Sequence, residues 1–450
     1  MRMAMQYSEG RQLGRRLVVG LSLALIAACN AGAENSGGAG ATDATGGTGG
    51  VNAGGGPGQG GGQAQGAGGE GAGFASGGFS SGEGGGIICS PGTPSDDIDG
   101  DGFTEDDGDC EDCDPNRNPN AIEVPTEPGK TPYDENCDGQ IDELPPPPCD
   151  AGIDLDEMDP MFAAKAVEIC KVSSGPNDWG LVSAEWVMAD GAPPPADATL
   201  AQRFHLGHGF VDDFGPNVDL RAGDRMLILS SGTARRPEDP GYQSVNGFSK
   251  GYQGGFADGF PKESPACPGT TTGGVNDPTG VELVLRAPSN ATGFSFDFDF
   301  YTFEWPGFIC STFNDFFIAI QEPFPAGQLD GNISFDSQGN PVSVNNALLQ
   351  VCGCPGNPPN PCEAGGKIFD CNLGNIELIG TGFGFDTAGS DHGGTSWLRT
   401  TSVVNGGEEF HLRFAVHDSG DGVLDSTTLV DNFIWIATPG TTVGTNPVPE

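Results

Sequence analysis

Positive charge is scarce in this chain. Lysine and arginine number 19 against 62 aspartates and glutamates, a formal net charge of −43 at pH 7. Such a surface repels the phosphate backbone, so no nucleic acid is expected as a partner, and anionic lipid headgroups are repelled in the same way. Histidine is scarcer still: His205, His208, His392, His411 and His417 are the full set. None belongs to a His-Glu-x-x-His zinc site, and none lies in the acidic stretch 97–143. Soft or imidazole-preferring metals such as Zn²⁺ and copper therefore lack ligands there. Long apolar runs are missing too. The run Leu17–Ile26 is too short to span a bilayer as a helix, and strong helix signals are confined to one place.

Acid is abundant, and it is patterned. Asp97-Ile-Asp99-Gly-Asp101-Gly102-Phe103 and Asp134-Glu-Asn136-Cys-Asp138-Gly139-Gln140 carry oxygen side chains at positions 1, 3 and 5 and glycine at 6. This is the front half of a calcium loop. Alternate residues of a tight turn point at one hard cation, and residue 7 (Phe103, Gln140) lends a backbone carbonyl. The position 12 glutamate of an EF-hand is replaced by Gly108 and Pro145, and no helix pattern flanks either loop. Closing ligands are expected from Asp107 and Asp109 for the first loop and from Asp142 or Glu143 for the second. The cofactor expected is Ca²⁺; the bland alternative is a solvated acidic linker.

The segment from Asp109-Cys110-Glu-Asp-Cys113-Asp114-Pro115 through Asn118-Pro119-Asn120-Ala121-Ile-Glu123 to Asp134–Glu143 resembles the MopE-type metal-binding motif of bacterial surface proteins, over about residues 96–143. It departs from that pattern between Val124 and Tyr133, which offers no cysteine, so the local disulfide pairing stays open. Copper is associated with the namesake, but the lack of histidine argues against carrying it over.

The amino terminus reads as an export signal. Arg2, Arg11, Arg15 and Arg16 precede the short apolar run and Ala27-Ala28-Cys29. Leu25–Cys29 resembles a bacterial lipobox, which implies lipidation at Cys29 and, with Asn30 following, an outer-membrane or cell-surface address. The alternative is an ordinary signal followed by a chance cysteine. Residues 30–86 are mostly Gly, Ala, Ser, Thr and Gln and are expected to form a disordered tether spanning roughly 40 Å. Of thirteen cysteines, removing Cys29 leaves twelve. In an exported chain an even number suggests disulfides; a zinc knuckle at Cys352, Cys354, Cys362 and Cys371 is the alternative.

After the proline run 145–148 the pattern becomes β. The one expected helix is Asp159–Cys170, capped by Asp159, with 162, 163, 166, 167 and 170 on one face. Strands are expected at 181–187, 225–229, 281–285, 294–300, 315–320, 410–416 and 428–436. Phe294, Phe296, Phe298 and Phe300 should face a core, with Ser295, Asp297 and Asp299 on a wet face. The fold class is mainly β: an antiparallel β-sandwich or jelly-roll-like domain with one short helix, preceded by a small helix-poor calcium-loop module and the tether. The expected divisions are 1–28 signal, 29–88 tether, 89–148 acidic module, 149–438 β domain and 439–450 flexible tail. The stretch 296–306 with Phe313–Phe317, Leu229–Ala234 and Leu429-Val-Asp431-Asn432-Phe433 resembles the choice-of-anchor L domain. That resemblance implies an extracellular β domain and no established activity.

Two acid groups are candidates for chemistry: Glu304 with Asp315, and the second acidic site Asp418, Asp421, Asp425 and Asp431. Such acids serve turns, a second Ca²⁺, or a glycosidase pair. The functional expectation is a lipid-anchored, calcium-binding surface protein whose β domain binds or builds, with polysaccharide or a surface protein as partner. The alternatives are a surface polysaccharide hydrolase and a copper scavenger.

Overall fold

The computed structural model describes residues 92–143, 147–346, 348–353, 362–384 and 392–448. The signal peptide, the tether, Cys29, Cys89 and Cys354 therefore lie outside the described residues. Among the described residues, no helix is long and apolar enough to cross a membrane.

The fold is mainly β and its sheets are antiparallel. The principal strands are β1 (Gly180–Val187), β2 (His208–Val211), β3 (Met226–Ser230), β4 (Val275–Arg286), β5 (Gly293–Thr302), β6 (Phe316–Glu322), β7 (Leu398–Val403), β8 (Glu409–Ser419), β9 (Ser426–Ile436) and β10 (Gly444–Pro447). One sheet runs β1-β4-β8-β6 and the other β10-β7-β5-β9-β3-β2. Every expected strand is present. The tail expected to be flexible instead supplies β10, whose Thr445 pairs with Thr400 of β7 and shares a 2.8 Å hydroxyl contact with it.

The two sheets meet over one large core, and β5 carries its centre. Phe294 stacks on Phe410 of β8 at 5.3 Å between ring centres, Phe296 meets Phe414 edge-on at 4.8 Å, and Phe298 meets Phe317 of β6 at 4.8 Å. Each such pair adds about 0.5–1.5 kcal/mol beyond the area it buries. Alternation along β5 thus places the phenylalanines as expected.

The opposite face of β5 is not wet. Ser295, Asp297 and Asp299 are 4%, 0% and 0% exposed. A second apolar cluster covers that face, with Phe214, Val218, Leu378 and Phe383 packing against Tyr301 and Leu429. Asp297 survives burial because Arg399 grips it at 2.6 and 2.8 Å, Arg221 approaches at 3.3 Å and Asn432 donates at 2.9 Å. Two guanidinium groups and an amide replace the water that the carboxylate gave up. Asp299 accepts from Tyr301 and Thr395.

Helical structure also departs from expectation. The first helix, α1, covers only Met161–Lys165. Asp159 does accept from the Met161 amide at 3.0 Å, but Glu168 enters the left-handed region at φ 72° and ends the run. Val167 then accepts from Phe433 of β9, which ties this segment to the sheet, and Cys170 is bound to Cys149. A second helix that sequence reading missed, α2 (Ala198–His205), is capped by Asp197, which accepts from Thr199 and Leu200.

Disulfides join Cys110–Cys137, Cys149–Cys170, Cys267–Cys310 and Cys352–Cys371. Cys113 and Cys362 are disulfide-bonded as well. The knuckle cysteines 352, 362 and 371 are thus oxidised and cannot serve as zinc thiolates.

Asp297→Ala should cost about 3 kcal/mol, because it strands Arg399 and Arg221 beside a buried hole. Chemical denaturation of wild type and variant measures this; a loss below about 1 kcal/mol would mean the arginines find water instead.

Candidate functional site

Two acidic constellations emerge, one in the loops before the β domain and one inside it.

In the first loop the side chains fold back on their own backbone. Asp97 accepts from the amides of Gly100 at 2.7 Å and Gly102 at 3.1 Å, Asp99 from Asp101 at 3.1 Å, and Asp101 from Phe103 at 2.8 Å. Gly100 and Gly102 have φ of 83° and 96°, which glycine alone adopts freely. The loop closes with residues from beyond it. Asp97, Asp99 and Asp112 lie within ion-sharing distance of one another, as do Asp99, Asp101 and Asp109. Asp109 is 5% and Asp112 7% exposed. One oxygen of Asp99 and one of Asp109 are buried without a hydrogen-bond donor. Burial, followed by the charges of Asp101, Asp109 and Asp97, pushes Asp99 up to about 6. Asp101 and Asp109 are raised for the same reasons.

Of the expected ligands in this loop, Asp97, Asp99, Asp101 and Asp109 are therefore brought together. Asp107 is not: it accepts from the Thr104 hydroxyl at 2.7 Å on an exposed turn. Asp112 stands where a closing acid was sought. Its spacing from Asp109, around Cys110 in a disulfide-held turn, was the available signal.

The second loop has the same internal pattern. Asp134 accepts from Asp138 and Gly139, Asn136 from Asp138, and Asp138 from Gln140. Asp142 turns away to accept from Thr126 at 2.7 Å, whereas Glu143 faces Asn136 at 2.8 Å and keeps one buried oxygen without a donor. Glu123, which sequence reading left unassigned, clamps this loop by accepting from Glu135, Asn136 and Asp142. Among the described residues, no carboxylate trio of the second loop is close enough to share an ion.

The loops and the β domain belong to one compact unit. Asn118, fully buried, donates to Asp101 at 2.7 Å and accepts from Ser289 at 2.7 Å. Ser289 also donates its amide to Asn120, while Asn290 accepts from and donates to Ile122 at 3.0 and 2.8 Å.

The second constellation unites acids that sequence reading kept apart. Glu304 follows β5, Asp315 precedes β6, Asp418 lies at the end of β8 and Asp425 just before β9. All four are at most 3% exposed. The Asp315 amide donates to Glu304 at 3.0 Å, and Asp315 accepts from the Ser419 amide at 3.1 Å and the Ser426 hydroxyl at 2.7 Å. A register shift between Val416 and Asp418 buries His417 and Asp418 together. The four carboxylate oxygens of Asp418 and Asp425 are buried and make no well-formed hydrogen bond. Burial dominates their titration: Glu304 is pushed up to about 8, and Asp315, Asp418 and Asp425 are raised well above the usual carboxyl range. Lys250, fully buried and bonded to Ser230 and Thr279, is lowered to about 8 by burial, and His417 to about 4.

Asp421 is exposed and Asp431 stands elsewhere, accepting from the amides of Arg221 and Ala222. A second register shift in β9, after Asp431, redirects it. The four-acid group expected at 418–431 is thus split, and half of it joins Glu304 and Asp315.

Gly247-Phe248-Ser249-Lys250-Gly251 has the Gly-x-Ser-x-Gly form, which sequence reading passed over; a second such run, 78–82, lies outside the described residues. Here it joins no strand to a helix, and Ser249 donates to Asp277 at 2.8 Å instead of facing a histidine. Trp186 and Trp305 are 7% and 1% exposed and belong to the core. A surface cavity of about 360 Å³, lined by Pro237, Asn375, Leu378, Ile379 and three glycines, presents no titratable side chain.

The interior acids give a pH test. Glu304's raised value favours its neutral form in the fold. Its stabilisation is complete below the ordinary value of 4.5 and is lost as pH rises through about 8. Glu304→Gln keeps an acceptor for the Asp315 amide but removes the ionisation. It should raise Tm by about 2–4 °C near pH 9 and give no gain near pH 5. An equal offset at both pH values by calorimetry would show that Glu304 does not titrate in this range. Compared with protein-family models and with curated proteins, the chain matches none.

Proposed function

We propose that this protein is a lipid-anchored, calcium-binding surface protein whose β domain binds or builds instead of catalysing. The observation that carries the reading is the first loop. Two carboxylate oxygens, on Asp99 and Asp109, are buried without donors amid five acids. An ensemble of hard oxygens with no histidine and no free thiol suits Ca²⁺. Asp97, Asp99, Asp101, Asp109 and Asp112 would hold the ion, and its charge would relieve their mutual repulsion. The second loop, with Asp134, Asn136, Asp138 and Glu143, is a weaker site clamped by Glu123.

The sequence supports the remaining parts. The lipobox-like Leu25–Cys29 and the glycine-rich stretch behind it fit an anchor and a spacer at the outer membrane or cell surface. Seven disulfide-bonded positions in the β domain, Cys149, Cys170, Cys267, Cys310, Cys352, Cys362 and Cys371, fit an oxidising compartment. The likeness to MopE-type motifs and to choice-of-anchor L domains agrees with an extracellular binding or adhesive role, with polysaccharide or a surface protein as partner. The interior acids support this over hydrolysis. At no more than 3% exposure, Glu304, Asp315, Asp418 and Asp425 offer a polymer no cleft.

Calorimetric Ca²⁺ titration of the full chain after chelator treatment tests the metal reading. Wild type should bind, and Asp99→Asn and Asp109→Asn should each weaken the tighter site at least about tenfold, some 1.4 kcal/mol. Asp107→Asn should match wild type. Wild-type binding that survives both substitutions unchanged would move the site away from this loop. Radiolabelled palmitate should enter the wild type and not Cys29→Ala.

A further inference from the structure

We propose that cation occupancy of the first loop locks the acidic module onto the β domain, with Asn118 as the positioning residue that links the two. This inference rests on the calcium reading and adds a mechanical consequence to it.

Hydrogen bonds cross the joint, and the Asn120 side chain adds one to the Asn177 carbonyl. Ser289 Oγ donates to Asn118 Oδ1 at 2.7 Å, the Ser289 amide donates to the Asn120 carbonyl at 3.0 Å, and the Asn290 side chain brackets the Ile122 peptide group. No side chain of residues 92–143 enters any of the apolar clusters of the β domain. The module therefore takes no part in those apolar cores, and its docking leans on the aim of a few hydrogen-bonding groups.

Asn118 joins Asp101 of the first loop to Ser289 of the β domain. Its Nδ2 donates to Asp101 Oδ2 at 2.7 Å and to the Pro115 carbonyl at 3.3 Å; its Oδ1 accepts from the Asn120 amide at 2.9 Å and from Ser289. It is fully buried, so a lost partner is not replaced by water. Asp101 is also one of the acids grouped with Asp99 and Asp109. With a divalent cation among them, these carboxylates attract a common centre and Asp101 stays where Asn118 needs it. Without the cation, like charges at close range drive them apart. Asp101 then retreats, the Asn118 amide loses its acceptor, and the bond to Ser289 loses the geometry that made it. The loop itself is held by Cys110–Cys137, so the change falls on the hydrogen bonds of the joint. A rigid body with Ca²⁺ becomes a hinged one without it.

Hydrogen–deuterium exchange of the full chain, with Ca²⁺ and with chelator, reads this at single peptides. Chelation should speed exchange at Ile122 and Ser289, whose amides cross the joint, by about tenfold or more, together with Gly100, Gly102 and Phe103 of the loop, while β5 stays protected. Asn118→Ala in Ca²⁺ should open the joint amides yet leave Ca²⁺-dependent protection at the loop. Ser289→Ala, which removes only the outer bond, should do the same more weakly and serves if Asn118→Ala loses the β5 protection that marks a folded domain. Loop amides that respond to Ca²⁺ while joint amides ignore it would overturn the coupling and leave the calcium site standing. A Ca²⁺ response at neither place would overturn both.

Discussion

Compensation of carboxylate charge is the constraint on which this structure turns. With 62 acids and 19 bases, most carboxylates cannot find a cation from the chain, and burial makes each uncompensated one costly. The fold uses several remedies. Asp297 takes Arg399 and Arg221. Asp431, Glu123 and Asp150 take backbone amides, Asp150 those of Asp224 and Arg225. Glu304 and Asp315 sit among raised acids where protons do the work. The first loop exhausts its own amides and still leaves oxygens of Asp99 and Asp109 unmet. The calcium proposed above would be the remedy there, since the group as described contains no arginine or lysine side chain.

What could be read in the sequence follows from how local each remedy is. The phenylalanine alternation of β5 is a period of two within one strand, so the core face was legible. The opposite face was misread as wet because the partners of Asp297 come 102 and 76 residues away along the chain, and a serine or aspartate looks the same whether it meets water or a distant arginine. The helix at 159–170 was shortened by one left-handed residue, Glu168, which no apolar periodicity records. That positions 97, 99 and 101 come close together was legible because alternate residues of a tight turn point the same way. Asp112 and the union of Glu304 and Asp315 with Asp418 and Asp425 were not, because they depend on which turns and strand ends meet in space.

The geometry also gives a physical reading of Asn118-Pro-Asn120-Ala121-Ile-Glu123. Its residues are clamps instead of ligands. Glu123 gathers three amides of the second loop, Asn118 holds Asp101 of the first, and Asn120 and Ile122 meet Ser289 and Asn290. Ala121 is 2% exposed. A segment that touches both loops and the β domain at once must keep fixed spacing between those contacts, whatever the residues around it do.

The module's smallness decides where sensitivity to ions must reside. The β domain has a shared core of phenylalanines across two sheets and would fold on apolar burial. The module contributes nothing to that core and buries little of its own, below the size at which a chain folds without a covalent or metal staple. Cys110–Cys137 closes a span of 27 residues, which limits the unfolded state by roughly 3–4 kcal/mol in the chain-entropy picture. That link fixes which loops are neighbours but leaves their charges facing each other. The crosslink and the proposed cation would therefore act on different terms, one on chain entropy and the other on repulsion, and neither would substitute for the other. If the proposed ion is bound, its loss should be felt first at the hydrogen-bonded contact of Asn118 with Ser289 and last in the strands behind it.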